Sequence, residues 1–403
     1  MKDSMAPISR REFGGTVLTL GTGAGIVSGA GSVDETLRES VRRRKIPAAA
    51  AMVATAERTT YSGAFGTVDL PRNSIFRIAS MTKAITSVAA MQLVERGALT
   101  LDEPVAKHLP ELSGLDVLEG FDKNTGNPVL RPVRKPVTLR LLLTHTAGFG
   151  YDTWDANLLR YTEHAARGVA PLMFEPGAYW EYGTNLDWTG RLVEKVSGQT
   201  LEPYFRRNIL APLGMSDTGF ILQAEKFERL VNSYQRQSDG SLKEDPRTPP
   251  PPPKTFNGGG GLYSTAGDYV RFMQMILRRG QSSDRKRILR ADTVDMMTSN
   301  QIGELSAGKM KSVRPERSSD VDFHPGFSDK FGFGFLINTV AYEGGRSAGS
   351  LAWAGLQNTF YWIDPRRQVC AVLLMQFLPF CDSEAIGLLR DFERAVYAAL
   401  PAG

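Results

Sequence analysis

Strand-like runs stand at both ends of this chain with helical patterns between them, and this arrangement most narrows the folds open to it. Ala48 to Ala56 and Thr59 to Phe65 read as two strands of a hairpin, and Phe333–Ile337, Asn358–Ile363 and Val369–Gln376 read as strands near the C-terminus. Between them, Leu139 to Thr144, Leu186 to Val196, Leu201 to Leu210 and Asp268 to Leu277 read as helices. Residues 34–45 and Ser383 to Leu400 add a helix near each end. One sheet split by an inserted helical lobe fits this order. Leu101 to about Gly150 is otherwise loop-rich, and Pro249 to Pro253 reads as a stiff connector between lobes.

Composition excludes several classes. The chain has 403 residues, 42% of them hydrophobic and 23% charged, which is ordinary for a globular protein of two domains or two lobes. The formal charge is +5, but basic runs such as Arg42-Arg43-Arg44-Lys45 are short and lack interleaved aromatics, which argues against a nucleic-acid partner. His108, His145, His164 and His324 lie far apart without ligand spacing, so no metal and no cofactor is predicted. Cys370 and Cys381 are the two cysteines, and Cys370 sits in an apolar run that predicts a buried free thiol. No segment has the roughly 18 consecutive apolar residues of a membrane span, so no stable membrane insertion is expected of the mature chain. At the N-terminus, Ser9-Arg10-Arg11-Glu12-Phe13 precedes the weakly apolar stretch Gly14 to Ile26, and Ser28-Gly29-Ala30 could be cleaved. This resembles a twin-arginine signal over residues 1–30 and predicts a periplasmic or secreted protein.

The period changes at Ser80-Met81-Thr82-Lys83. Ser74 to Ala79 reads as an apolar entry, and Ala84 to Arg96 reads as a helix stopped by Gly97. Ser80 therefore falls at a helix N-terminus, with Lys83 one turn on and on the same face. Free N–H groups and the helix dipole suit an anion there, and a hydroxyl beside an amine suits an activated nucleophile. Ser283-Asp284-Arg285-Lys286 and Ser306-Ala307-Gly308-Lys309 repeat the spacing in polar stretches without a helix, and read as solvated loops. Asn257 to Leu262 contains four glycines without a following Gly-Lys-Ser/Thr, so it reads as backbone passing close to a site and not as a phosphate cradle.

A second serine competes. Gly345-Arg346-Ser347-Ala348-Gly349 has the form of a nucleophile elbow, but that mechanism needs a histidine downstream, and His324 is the last in the chain. The residues after Gly349 also read as strand where an elbow needs helix. With no histidine near Ser80, its base must be Lys, Tyr or a carboxylate. Lys83 is local, and Tyr182 sits in a Gly-rich turn just before a helix.

Taken together, five stretches resemble the serine β-lactamase and penicillin-binding-protein superfamily, and within it the family VIII carboxylesterases. They are Ser80 to Lys83, Leu141 to Tyr151, Glu181 to Trp188, Gly258 to Thr265 and Trp353-Ala354-Gly355. The resemblance implies an α/β (α+β type) fold, an antiparallel sheet flanked by helices with an inserted, mostly helical lobe. On this reading residues 31–100 plus 258–403 form the core domain and 101–257 the lobe. The resemblance further implies Ser80 as nucleophile, Lys83 with Tyr182 as the base system, and backbone N–H groups of Ser80 and Leu356 as the oxyanion hole. Tyr151, Trp353 and Gly355 would bind substrate, and His145 would be structural. Free Lys and Tyr titrate near 10, so lowering either by about three units costs roughly 4 kcal/mol, and the two would titrate as one unit.

Two departures redirect the expected substrate. Where class C β-lactamases have Tyr-x-Asn, the third place here is Thr184, and Trp353 replaces the lysine of their Lys-Thr-Gly motif. An apolar wall in place of a cation favours a neutral ester over a charged lactam. The expectation is thus a carboxylesterase for short to medium acyl chains acting on a small-molecule ester. A β-lactamase, a D,D-peptidase or an acyltransferase on the same fold, or a non-catalytic sensor, stand as alternatives. A reporter fused to residues 1–35 is expected to reach the periplasm. Replacing Arg10 and Arg11 by Lys should block it, and unchanged export would refute the signal.

Overall fold

The computed structural model of the protein describes residues 26–66, 70–164 and 168–401. The predicted export signal lies outside the described residues except at its end, where helix α1 (Ile26–Arg44) begins. Strands β1 (Ala48–Thr55) and β2 (Thr59–Gly66) form the expected hairpin. Four consecutive buried alanines, Ala48 to Ala51, open β1 and let flanking elements approach closely. Helices α2 (Thr82–Glu95), α3 (Leu139–Leu143), α4 (Asn185–Ser197) and α5 (Ala266–Leu277) follow. The C-terminal part contributes β3 (Lys330–Phe331), β4 (Leu336–Ile337), β5 (Leu351–Gly355), β6 (Thr359–Asp364), β7 (Val369–Leu374) and helix α6 (Ser383–Ala399).

These strands make one seven-stranded antiparallel sheet in the order β3-β4-β5-β6-β7-β1-β2. The N-terminal hairpin and the C-terminal strands therefore meet at the β7–β1 pair, and the described residues of 101–257 supply no strand to this sheet. Every residue of β6 and β7 is buried, which is why both read as continuous apolar runs. Successive side chains point to opposite faces. Trp362 meets Phe392 of α6 at 5.4 Å between ring centroids, while its neighbour Tyr361 meets Tyr269 of α5 at 5.1 Å. Helices thus cover both faces. Caps fix two of them: Thr265 Oγ1 accepts from Asp268 N–H before α5, and Asp382 accepts from Glu384 and Ala385 N–H before α6.

Several expectations need correction. Phe333–Ile337 is not one strand, because Gly334 turns with φ +92° and β3 and β4 stand on either side of that turn. The helix expected over Leu201 to Leu210 is α-helical only to Phe205 and then widens into a π-turn, Arg206–Leu210. The loop-rich stretch hides a hairpin, Asp116–Phe121 with Pro128–Pro132, and further helices occupy Ala156–His164 and Ala291–Met297. Both thiols are buried and unbridged. No helix among the described residues is long and apolar enough to cross a membrane.

The nucleophile-elbow lookalike has a structural use. Arg346 is buried and its guanidinium donates to both oxygens of Glu393 on α6, at 2.9 and 2.6 Å, while its own N–H donates to the same carboxylate at 2.9 Å. Leu351 then enters β5 as strand, and Ser347 N–H caps onto Asp364. Glu393→Ala should leave a buried guanidinium without its partner and destabilise the fold by about 3–5 kcal/mol. Urea denaturation of the two proteins measures this, and a loss under about 1 kcal/mol would show that the pair carries little.

Candidate active site

Ser80 lies on a 3₁₀ turn, Ala79–Met81, that runs directly into α2. Ala79 holds φ +43°, a left-handed conformation that costs a non-glycine residue about 1–3 kcal/mol. Neighbouring bonds impose it. Ile78 N–H donates to Leu262 O at 3.0 Å, Met81 N–H returns to Ile78 O at 3.1 Å, and Phe76-Arg77 pairs antiparallel with Tyr263-Ser264. This pairing also carries the glycine run Gly258 to Gly261 across the start of α2. Thr86 Oγ1 donates to Gly258 O at 2.6 Å and Lys83 Nζ donates to Gly259 O at 2.6 Å. A Cβ on Gly259 would lie 2.3 Å from the Asp187 carboxylate, so only glycine permits this approach.

Lys83 is buried, and its amine faces three oxygens: Gly259 O, Ser80 Oγ at 3.1 Å and Tyr151 Oη at 3.2 Å. The expected hydroxyl partner was Tyr182, and the geometry differs. Lys83 Nζ stands over the Tyr182 ring, 4.8 Å from its centroid, while Tyr182 Oη accepts from Trp353 Nε1 at 3.2 Å. Trp353 is thus an apolar wall with a polar handle. Tyr151 Oη in turn lies 3.3 Å from Asp187 Oδ2. Burial, and then Asp187 and Tyr182, hold the Tyr151 phenol well above its ordinary value, so it stays protonated at neutral pH.

Ser80, Tyr151, Trp154, Tyr182, Trp353 and Leu356 line one cavity of about 270 Å³. Of the predicted site residues, Lys83, buried behind Ser80, and Gly355 are absent from its lining. Gly355 lies at the end of β5. Its role is close packing: a Cβ there would sit 2.3 Å from Ile78 O, so glycine lets the end of β5 press against the serine turn. That contact brings Leu356 and Ser80 to the same cavity. The first N–H groups of a helix have no acceptor within it, which suits Ser80 N–H for an oxyanion.

His145 is buried at the end of α3 with φ +58°. Its Nδ1 accepts from Gly183 N–H at 3.4 Å and lies 3.0 Å from Asn185 Nδ2, and its ring lies 4.8 Å from Tyr182. Burial, with Lys83 nearby, lowers its basicity well below the ordinary value, so it is neutral and fixes the Tyr182 turn. Asn185 also bonds Phe149 O, so the displaced asparagine of the tyrosine motif is spent on this support and does not line the cavity. The two other serine–lysine spacings are exposed, with Lys286 paired to Asp284 and Lys309 to Asp322. Sequence reasoning did not single out Asp187, because nothing local to its helix marks it as facing Lys83.

A serine and a buried amine at the head of a helix beside this sheet define a β-lactamase-fold serine enzyme that acts on esters or acyl groups. The Beta-lactamase family profile matches residues 33–393, and the chain belongs to that family. It is 32% identical to the monacolin J acid methylbutanoyltransferase of Aspergillus terreus, over 92% of this chain and 96% of that protein. It is 28% identical to the lovastatin esterase of Penicillium rubens, over 85% and 90%. Among solved structures, a simvastatin synthase from Aspergillus terreus, as its LovD6 mutant, superposes with TM-score 0.79 at 33% identity over 94% of this chain and 98% of that one. The acyltransferases among its relatives overturn the expectation of a carboxylesterase. Those most similar in sequence, including further methylbutanoyltransferases and acyltransferases, are named for transferring acyl groups and not for hydrolysing esters.

Gly355→Ala should push β5 off the serine turn and lower kcat about 10²- to 10³-fold, the cost of losing one oxyanion donor. KM should move less. Steady-state kinetics on a thioester substrate, with thermal unfolding to confirm the fold, checks this, and an unchanged kcat would remove Leu356 N–H from the site.

Proposed function

We propose that the protein is an acyltransferase that moves a short acyl group from an activated donor, through an ester on Ser80, to a hydroxyl of a small apolar acceptor. The observation that carries this reading is the near full-length likeness to the methylbutanoyltransferase of Aspergillus terreus. The site's geometry supports it. Ser80 Oγ attacks the donor carbonyl and Lys83, 3.1 Å away, takes its proton. The oxyanion is received by the N–H groups of Ser80 and Leu356. The leaving group is protonated by the Lys83 ammonium, and the acceptor hydroxyl then reverses these steps.

Transfer requires that the acyl-enzyme outlast the visits of water. Trp154, Trp353 and Phe380 give the cavity beside Ser80 an apolar wall, and Asp152, Asn257 and Arg317 are the charged and amide groups that also reach it. An apolar acceptor displaces water from these rings and is favoured by about 25 cal/mol per Å² of apolar surface it buries.

Incubation with a 2-methylbutanoyl N-acetylcysteamine thioester should give a covalent acyl adduct on Ser80, absent in Ser80→Ala and present in Ser347→Ala. Adding a fused-ring secondary alcohol should give ester in about tenfold excess over free acid, a partition worth roughly 1.4 kcal/mol between the two barriers. Acid release that is the same with and without every alcohol tested would sink the transferase reading.

A further inference from the structure

The buried amine of Lys83 has a proton arrangement that its neighbours dictate. Gly259 O can only accept, so one N–H points there. A neutral amine has one further N–H able to reach a hydroxyl neighbour here, and one lone pair. If that N–H goes to Tyr151 Oη, the lone pair faces Ser80 Oγ and can take its proton. This holds only if the Tyr151 proton is directed elsewhere. The acceptor in reach is Asp187 Oδ2, 3.3 Å from Tyr151 Oη. If the Tyr151 proton turned toward Lys83 instead, it would occupy the lone pair and leave Ser80 without a base.

We propose that Asp187, acting through Tyr151, is the positioning residue that keeps the Lys83 lone pair on Ser80 and supplies the counter-charge when Lys83 becomes an ammonium. The inference rests on the Ser80–Lys83 reading above and deepens it. In the acylation step the Ser80 O–H bond breaks as Oγ bonds the acyl carbon, and the proton goes to Lys83. When the adduct collapses, the bond from acyl carbon to leaving group breaks and the leaving group takes up the proton that Lys83 received from Ser80. No oxidant or other co-reactant enters.

The placement is built into the fold. Asp187 stands in the first turn of α4, where its charge is also favoured by the helix dipole. Gly259, whose carbonyl binds Lys83, is glycine because the Asp187 carboxylate occupies the space of its side chain. The groups around Lys83 are Ser80 on its own segment, Gly259 O, Tyr151, the Tyr182 ring, neutral His145 and Asp187. Asp187 is the acidic member of that set. Burial raises its carboxyl above the ordinary value and Lys83 pulls it back down.

Asp187→Asn keeps the shape but can donate an N–H to Tyr151 Oη, turning the tyrosine proton toward Lys83. Acyl transfer kcat should fall about 10²- to 10⁴-fold, the range of a lost proton-transfer step, with donor KM changed only a few-fold. The acid limb of the kcat/KM profile should move to lower pH, because removing a buried anion disfavours the charged form of a base beside it. Tyr151→Phe cuts the same link and should lower kcat similarly, but it keeps the Asp187 anion, so its acid limb should not move down; the double variant should lose little more kcat than either single one. A nearly wild-type kcat in Asp187→Asn overturns the proposal, and so does an unmoved acid limb in that variant or a fully additive double variant. If Asp187→Asn does not fold, Tyr151→Phe decides alone: the proposal requires a lowered kcat with donor KM changed only a few-fold, and a nearly wild-type kcat overturns it. Ser80→Ala run in parallel separates the two readings. Full turnover in Ser80→Ala defeats the nucleophile assignment, whereas an inactive Ser80→Ala with an unaffected Asp187→Asn defeats only the role of Asp187.

Discussion

The buried amine of Lys83 is the constraint around which the site is arranged. An ammonium moved out of water is penalised by several kcal/mol unless oxygens replace its hydration shell. Here those oxygens come from far-separated parts of the chain: Ser80 on the same turn, Tyr151 after α3, and Gly259 in the glycine run. Each must arrive with its backbone unusually close. The positive φ of Ala79, the missing side chain of Gly259 and the packing of Gly355 on Ile78 O each serve that approach. The strain at Ala79 is held by the strand pairing of Phe76-Arg77, so local fold and site chemistry are fixed by the same bonds.

The sheet supplies the rigidity that the site lacks by itself. Its central strands β6, β7 and β1 are buried and covered by helices on both faces. The site stands at one end of β5, where Leu356 follows the last paired residue. A residue just past a strand end keeps the strand's position but regains a free N–H, which is the property an oxyanion donor needs. Tyr269 adds a tie from α5, donating through its hydroxyl to Met81 O beside the nucleophile at 3.0 Å.

Legibility in the sequence followed burial. The fully buried strands β6 and β7, and helix α6 with its one buried face, were readable to within a few residues because their apolar patterns have no competing signal. The hairpin Asp116–Phe121 with Pro128–Pro132 was not, since only Val117 and Leu118 of it are buried and it carries prolines and a bulge between Leu118 and Gly120. The serine and its lysine were legible because they lie one helical turn apart. Lys83, Tyr151, Asp187 and Gly259 converge across long stretches of chain, and no local periodicity reports convergence. The same limit explains Tyr182: its motif placed it at the site, but only the fold shows that its hydroxyl is held by Trp353 while Lys83 rests on its ring.

Whether an acyl-serine goes to water or to an alcohol is a difference between two barriers that share nucleophile, base and oxyanion hole. The catalytic residues therefore carry no information on the outcome, which is why a reading built on the serine motif and its relatives' chemistry could settle on an esterase. The discriminating groups are those that greet the second substrate. A charged residue in place of Trp353 would hold ordered water beside the ester, as well as the carboxylate of a lactam. Tryptophan does neither, and its one polar atom is already committed to Tyr182. The rings of Trp154, Trp353 and Phe380 offer an apolar alcohol a surface to desolvate against, beside the polar groups of Asp152, Asn257 and Arg317 on the same cavity. On the transferase reading proposed above, the choice of acyl acceptor rests with these walls, one layer beyond the residues that perform the chemistry.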